Sequence, residues 1–186
     1  IAVDARQDRA YFERSKANIK KYDWEGAIED LAEAIRLKPG HLPYHLAQAS
    51  LRSKRKNYAG AVEDYDRMLD LLRQGAHGKM ATVVVNEGLL ILRRGQAKFF
   101  DGDSEGALRD INKALKKDRR FSPAYLYRAD VKFAQGLLNS ALVDYGKAIR
   151  LDRGEAGYYF SRGLFYYSQD RLPEALADID KGLRLA

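Results

Sequence analysis

Cysteine is absent from this 186-residue chain, which rules out a disulfide framework and a thiolate metal site. Histidine is scarce, at positions 41, 45 and 77 only. His41 and His45 have the i, i+4 spacing of metal ligands. Pro43 lies between them at a helix start, however, and no nearby acid completes a set. No Gly-x-Gly-x-x-Gly turn, phosphate loop or nucleophile-elbow serine occurs. The reading is therefore non-catalytic, with no metal and no cofactor. Long apolar runs are missing too, since a membrane-spanning helix needs about 18 such residues. The best candidate, from Thr82 to Leu92, is broken by Asn86, Glu87 and Gly88, so no membrane span is expected. The chain opens on Ile1, with Asp4, Arg6, Asp8 and Arg9 close behind, which is not a signal peptide. Both ends read as cut from a longer protein, and the compartment stays open.

What is present is a ladder. Ala27, Ala61, Ala107, Ala141 and Ala175 are separated by steps of 34, 46, 34 and 34 residues. Four residues after each alanine stands a larger side chain, namely Leu31, Tyr65, Ile111, Tyr145 or Ile179. Eight after it comes Ile35, Leu69, Leu115, Ile149 or Leu183. A fixed period near 34 signals a solenoid, in which each unit buries its apolar face only against its neighbours.

Each repeat divides into two helical halves. From Glu25 to Leu37, the residues Ala27, Leu31, Ala34 and Ile35 share one face, while Glu29, Glu33 and Arg36 lie opposite. Small residues recur seven after the rung, at Ala34, Ala114, Ala148 and Gly182, with Met68 the exception. Small side chains let two helix backbones approach closely. The other half is aromatic-rich and clearest from Pro123 to Phe133, with proline near a helix start, where its missing N–H costs nothing. Asp101-Gly102-Asp103, Gln135-Gly136 and Ser168-Gln169-Asp170 mark the turns between the halves.

These features resemble the tetratricopeptide repeat family. Tyr22-Asp23-Trp24-Glu25-Gly26-Ala27, Asn57-Tyr58-Ala59-Gly60-Ala61 and Gly102-Asp103-Ser104-Glu105-Gly106-Ala107 resemble the family's turn and second helix. Ser161-Arg162-Gly163 through Tyr166-Tyr167 resembles its first helix. The resemblance implies an all-α, right-handed solenoid of antiparallel helix pairs over residues 1–186. Its repeats are expected at about 8–41, 42–75, 88–121, 122–155 and 156–186. Only the first repeat ends in the family's usual proline, Pro39; Arg73, Arg119 and Arg153 stand in the matching places later.

Charge follows the same period. Aspartate falls three residues after every rung, at Asp30, Asp64, Asp110, Asp144 and Asp178. Arginine stands thirteen before four of the rungs, at Arg14, Arg94, Arg128 and Arg162, with Gln48 the exception. Arg67, Lys113, Lys147 and Lys181 lie three residues after four of the aspartates, at the spacing of helix-surface ion pairs. The aspartates are expected to pair with these cations or with the arginines of a packed first helix. The 46-residue step holds twelve extra residues, so the insertion 76–87 is expected to extend the first helix of the third repeat, packed on its own solenoid.

The resemblance also implies a concave groove lined by first helices. Carried over place by place, its lining is Phe12, Lys16, Ile19, Leu46, Leu92, Gln96, Phe99, Leu126, Asp130, Phe133, Phe160, Leu164 and Tyr167. Cochaperone members of the family clamp a terminal carboxylate with basic residues, but Phe12 and Leu46 stand in such places here, so that activity is not expected. An apolar and aromatic groove suits hydrophobic side chains of a protein or peptide ligand. The leading reading is a protein–protein interaction scaffold. A second is a homo-oligomer joined through a C-terminal end without a polar cap, after Leu183 and Leu185. A third follows from the net charge of +7 and from the runs Arg52 to Lys56 and Lys116 to Arg120. It is a basic surface for an acidic protein, ahead of nucleic acid.

Overall fold

A computed structural model of the chain describes residues 7–75 and 86–186. Ten helices occupy the described residues: α1 (Gln7–Lys20), α2 (Trp24–Leu37), α3 (Leu42–Lys54), α4 (Tyr58–Arg73), α5 (Glu87–Phe100), α6 (Ser104–Lys117), α7 (Ser122–Ala134), α8 (Leu138–Leu151), α9 (Ala156–Ser168) and α10 (Leu172–Leu185). No strand occurs among these residues, and the fold is all-α. The chain forms two compact units that divide after Gly102. In the first, α1 packs on α2, α2 on α3, α3 on α4 and α4 on α5. In the second, α6 packs on α7, α7 on α8, α8 on α9 and α9 on α10.

The turn between the helices of a pair is set by one residue, five before each rung. It adopts positive φ in all five repeats: Tyr22 (62°), Lys56 (60°), Gly102 (95°), Gly136 (75°) and Asp170 (57°). Glycine enters this left-handed region freely, whereas a side chain there costs roughly 1–2 kcal/mol. The next helix then starts on a side-chain cap in the first three repeats. Asp23, Asn57 and Asp103 accept the backbone N–H of Gly26, Gly60 and Gly106 at 3.0, 3.0 and 2.8 Å. Leu137 and Arg171 take this place before α8 and α10 without a side-chain cap.

Every alanine rung is buried. In the first unit Ala27 and Leu31 pack with Leu51 of α3, flanked by Phe12, Ile19 and Trp24. In the second, Ala129, Ala141, Tyr145 and Phe165 form one cluster. Ala148, Ile149, Tyr158 and Tyr159 form another. A Cβ on Gly182 would stand 2.5 Å from the Phe160 ring, so the closeness of α9 and α10 depends on that glycine.

Most of the insertion expected over 76–87, residues 76–85, lies outside the described residues. Helix α5 itself starts at Glu87. Asn86 is extended there and its side chain accepts the Leu89 N–H at 3.2 Å.

Candidate functional site

In the first, fourth and fifth repeats the periodic aspartate ties the helix pair together. Asp30, buried, accepts from Arg14 Nε at 2.9 Å and Asn18 at 3.0 Å. Asp144 accepts from Arg128 Nε and Nη2 at 2.8 and 2.7 Å and from Lys132 at 2.7 Å. Asp178 accepts from Arg162 at 2.7 and 2.8 Å. The partners are first-helix groups, as expected for the arginines; Lys147 and Lys181, three residues on, make no such pair among the described residues. Burial raises the Asp144 carboxyl, but the bonds from Arg128 and Lys132 outweigh it and hold it below its ordinary range.

The second repeat departs from this pattern. Gln48 replaces the arginine, and Asp64 is met only by Arg52 Nη1 at 3.1 Å, which also donates to the Gly60 carbonyl at 3.0 Å. Asp64 Oδ2 is buried with no hydrogen-bond partner among the described residues. Burial pushes this carboxyl up to about 7, with Arg52 opposing and Glu63 adding to the rise.

The thirteen first-helix positions expected to line a groove divide between the units. In the first unit, Phe12 packs on Tyr44 with ring centroids 4.8 Å apart, and Lys16 sits 4.2 Å above the Phe12 ring while bound to Glu13. Ile19 leans on the Ala27 cluster, and Leu46 is exposed. Leu92 is 1% exposed and sits in the core, leaving no surface for a ligand. Gln96 accepts from Arg93 at 3.4 Å, and Phe99 lies against Phe100.

In the second unit the same positions remain more open. Phe133 of α7 is half-buried, held edge-on against Phe165 of α9 at 5.3 Å. Leu126 leans on both core clusters, and Phe160 covers Gly182. Leu164 and Tyr167 of α9 are 63% and 66% exposed. Leu126, Asp130 and Phe133 follow at i, i+4 and i+7 along α7, on one face.

Asp130 is the chemically distinct member. Its Oδ1 accepts from the Tyr145 hydroxyl at 2.7 Å, and no cation pairs with it among the described residues. Burial pushes its carboxyl above the usual range, and the Tyr145 bond only partly offsets that. Tyr145 reads in the sequence as a core filler four residues after its rung. Its hydroxyl is the functional part that periodicity does not reveal; a polar tip on a core position was the available signal. The two histidines are also accounted for: His45 is buried with Nε2 2.7 Å from the Pro39 carbonyl, and His41 leans on Tyr44.

Repeat, turn, rung and carboxylate tie together give one architecture, and the tetratricopeptide repeat profile matches residues 92–156 and 128–186. The chain belongs to the tetratricopeptide repeat family. Solved structures agree in fold. MamA 41-end from Desulfovibrio magneticus RS-1 superimposes with a TM-score of 0.72 at 17% identity, covering 98% of this chain and 97% of that one. PilF from Pseudomonas aeruginosa gives 0.68 at 17% identity, covering 97% and 77%. YrrB, described as a TPR protein with an unusual peptide-binding site, gives 0.59 at 16% identity, covering 94% and 84%. No curated protein matches the sequence. As a tetratricopeptide repeat protein the chain is a protein-interaction scaffold. No helix among the described residues is long and apolar enough to cross a membrane.

Proposed function

We infer that the second unit binds a peptide segment of a partner protein on the face formed by α7 and α9. The observation that carries this reading is the exposed pair Leu164 and Tyr167 together with Phe133 and the cation-free carboxylate of Asp130. The occupant is an extended segment with apolar or aromatic anchors around one arginine or lysine. The apolar side chains cover Leu164, Tyr167 and Phe133, and the cation reaches Asp130. A hydrogen bond to a charged group contributes about 1.5–3 kcal/mol, more than a neutral one, and most where water is excluded. The first unit supports the scaffold and offers less of such a face, because Lys16 covers Phe12 and Leu92 is in the core. That YrrB is described as having a peptide-binding site is consistent with this use of the fold.

Selection of displayed random peptides on the full chain tests the reading. Enriched sequences should combine a basic residue with aromatic or aliphatic neighbours. Their affinity should fall about tenfold or more for the Leu164→Lys, Tyr167→Lys variant, whose sites are exposed and whose helicity is checked by circular dichroism. Peptides that bind this variant as well as the parent would contradict it.

A second reading, self-association through α10, is favoured by Leu172, Leu176 and Leu183, all exposed and spaced along one stripe of that helix. Sedimentation mass that rises with concentration, and ceases to rise in Leu176→Lys, is its expected outcome.

A further inference from the structure

The outward side of the second helices carries a charge pattern that the packing does not explain. Six and nine residues after the rung, the first unit mixes signs: Glu33 and Arg36 on α2, Arg67 and Asp70 on α4. In the second unit the same positions hold only cations: Lys113 and Lys116 on α6, Lys147 and Arg150 on α8, Lys181 and Arg184 on α10. Five of the six are exposed, and Lys147 is half-buried with its ammonium 5.9 Å from the Tyr125 ring centroid. None of them enters an ion pair among the described residues. Arg119 and Arg153, at the following turns, continue the row.

Cations in a last helical turn offset the helix dipole, which accounts for one such residue per helix. The first unit does this with Arg36 and Arg73, yet each is bound there to an acid one turn earlier, Glu33 at 2.5 Å and Asp70 at 2.8 Å. The second unit has its acids elsewhere. Asp144 and Asp178 are buried under arginines, Asp103 and Glu155 cap helix starts, and Glu105 and Glu174 pair with Arg109 and Arg171. Asp118 and Asp152, beside the row, accept the backbone N–H of Arg120 and Gly154. An unneutralised row of like charge is therefore left on one edge, repeating once per helix pair.

We propose that the edge carried by α6, α8 and α10 binds an acidic polypeptide segment laid across the three helices. The three helices pack on α7 and α9, and an extended chain advances about 3.3 Å per residue, so several residues of the segment separate one pair of cations from the next. A polypeptide fits better than a nucleic acid on two counts. Val143, 65% exposed, lies one helical turn before Lys147 and offers an apolar contact that a phosphate backbone does not use. The sole aromatic residue on these three helices, Tyr145, is buried. The neighbouring Tyr125 of α7 is half-buried, its ring flanked by Arg128 and Lys147 and its hydroxyl bound to the Arg119 carbonyl, so it is already engaged rather than free to stack on a base. This edge is separate from the α7–α9 face and its occupancy does not depend on that face being used.

The test is fluorescence anisotropy of labelled poly-L-glutamate titrated with the full chain across a salt series. The parent should bind, with affinity falling as salt rises. The variant Lys116→Glu, Arg150→Glu, Arg184→Glu should lose about tenfold or more, and Lys113→Gln, Lys147→Gln, Lys181→Gln a smaller but distinct factor of about three. A control with the same charge change on exposed first-unit lysines, Lys20→Glu, Lys54→Glu, Lys56→Glu, should stay within about twofold. Equal losses in the two charge-reversed variants, no binding by the parent, or tighter binding to DNA of equal charge would each overturn the proposal.

Discussion

Two buried carboxylates at the same repeat position show how differently the two units use one architecture. Asp144, in the second unit, is gripped by Arg128 and Lys132 and stays ionised. Asp64, in the first, has one contact from Arg52 and a bare oxygen, because Gln48 stands where Arg128 stands one unit on. The outward edges differ in the opposite sense: the first unit pairs Arg36 with Glu33 and Arg73 with Asp70, whereas the cations six and nine residues after the second unit's rungs enter no ion pair among the described residues. In the second unit, Asp144 and Asp178 are drawn inward to hold helix pairs together, while the outward positions six and nine after the rungs hold only cations and the α7–α9 face carries Asp130. A repeat thus fixes the packing positions and frees the solvent-facing ones for recognition.

The sharpest way to break this comparison is to remove a cation from a well-paired rung. Arg162→Met leaves Asp178 buried without its partner and should lower the unfolding free energy by about 3 kcal/mol. Arg52→Met should cost less, since Asp64 can take up a proton instead. Urea midpoints at neutral pH compare the two.

Asp64 also sets a pH dependence. Its folded value near 7 lies above the unfolded value of about 4, so the folded state binds the extra proton. The stability it contributes is full below about pH 4 and is lost as pH rises through about 7, amounting to about 2 kcal/mol between pH 5 and 8. Asp144, held low, acts oppositely: its contribution is present above its unfolded value and is lost as pH falls below it. Denaturation at pH 5 and pH 8 should show the loss in the parent and a flatter profile in Asp64→Asn. Gln48→Arg, which restores the missing guanidinium, should flatten it too.

A smaller effect is expected at the α9–α10 crossing. Gly182→Ala drives a methyl group into Phe160 and should cost about 1–2 kcal/mol, read from the same denaturation curves. The smallest effects sharpen the turn comparison. Lys56→Gly should stabilise the first unit and Gly136→Ala destabilise the second, each by about 1 kcal/mol, because both sites have positive φ.

Much of this was legible in the sequence. The alanine rungs, helix pairs and family follow from spacing, since a repeated packing position tolerates only one size of side chain. The arginine–aspartate ties were legible for the same reason. The substitution at Asp64 was not, because Arg52 comes from four residues further along α3 and replaces the missing group only in three dimensions. Nor does helical phase tell Leu46 from Leu92. Both occupy the same repeat position at the border of core and inner face, yet one is exposed and the other 1% exposed, according to what packs beside them. The basic edge lay in the sequence, but only in part in the contiguous runs, the second of which supplies Lys116 and Arg119. Arg52 and Arg55 of the first run are engaged with Asp64 and Glu25, and the row emerges only when like positions are compared across repeats.

The most direct test of recognition on the α7–α9 face is a double-mutant cycle on binding. A selected peptide and its arginine-to-glutamine analogue are titrated against the parent and Asp130→Asn. A coupling of about 1.4 kcal/mol, tenfold in affinity, is expected between the peptide's cation and Asp130. Effects that simply add would contradict it, because the ligand's charge would then be read somewhere else.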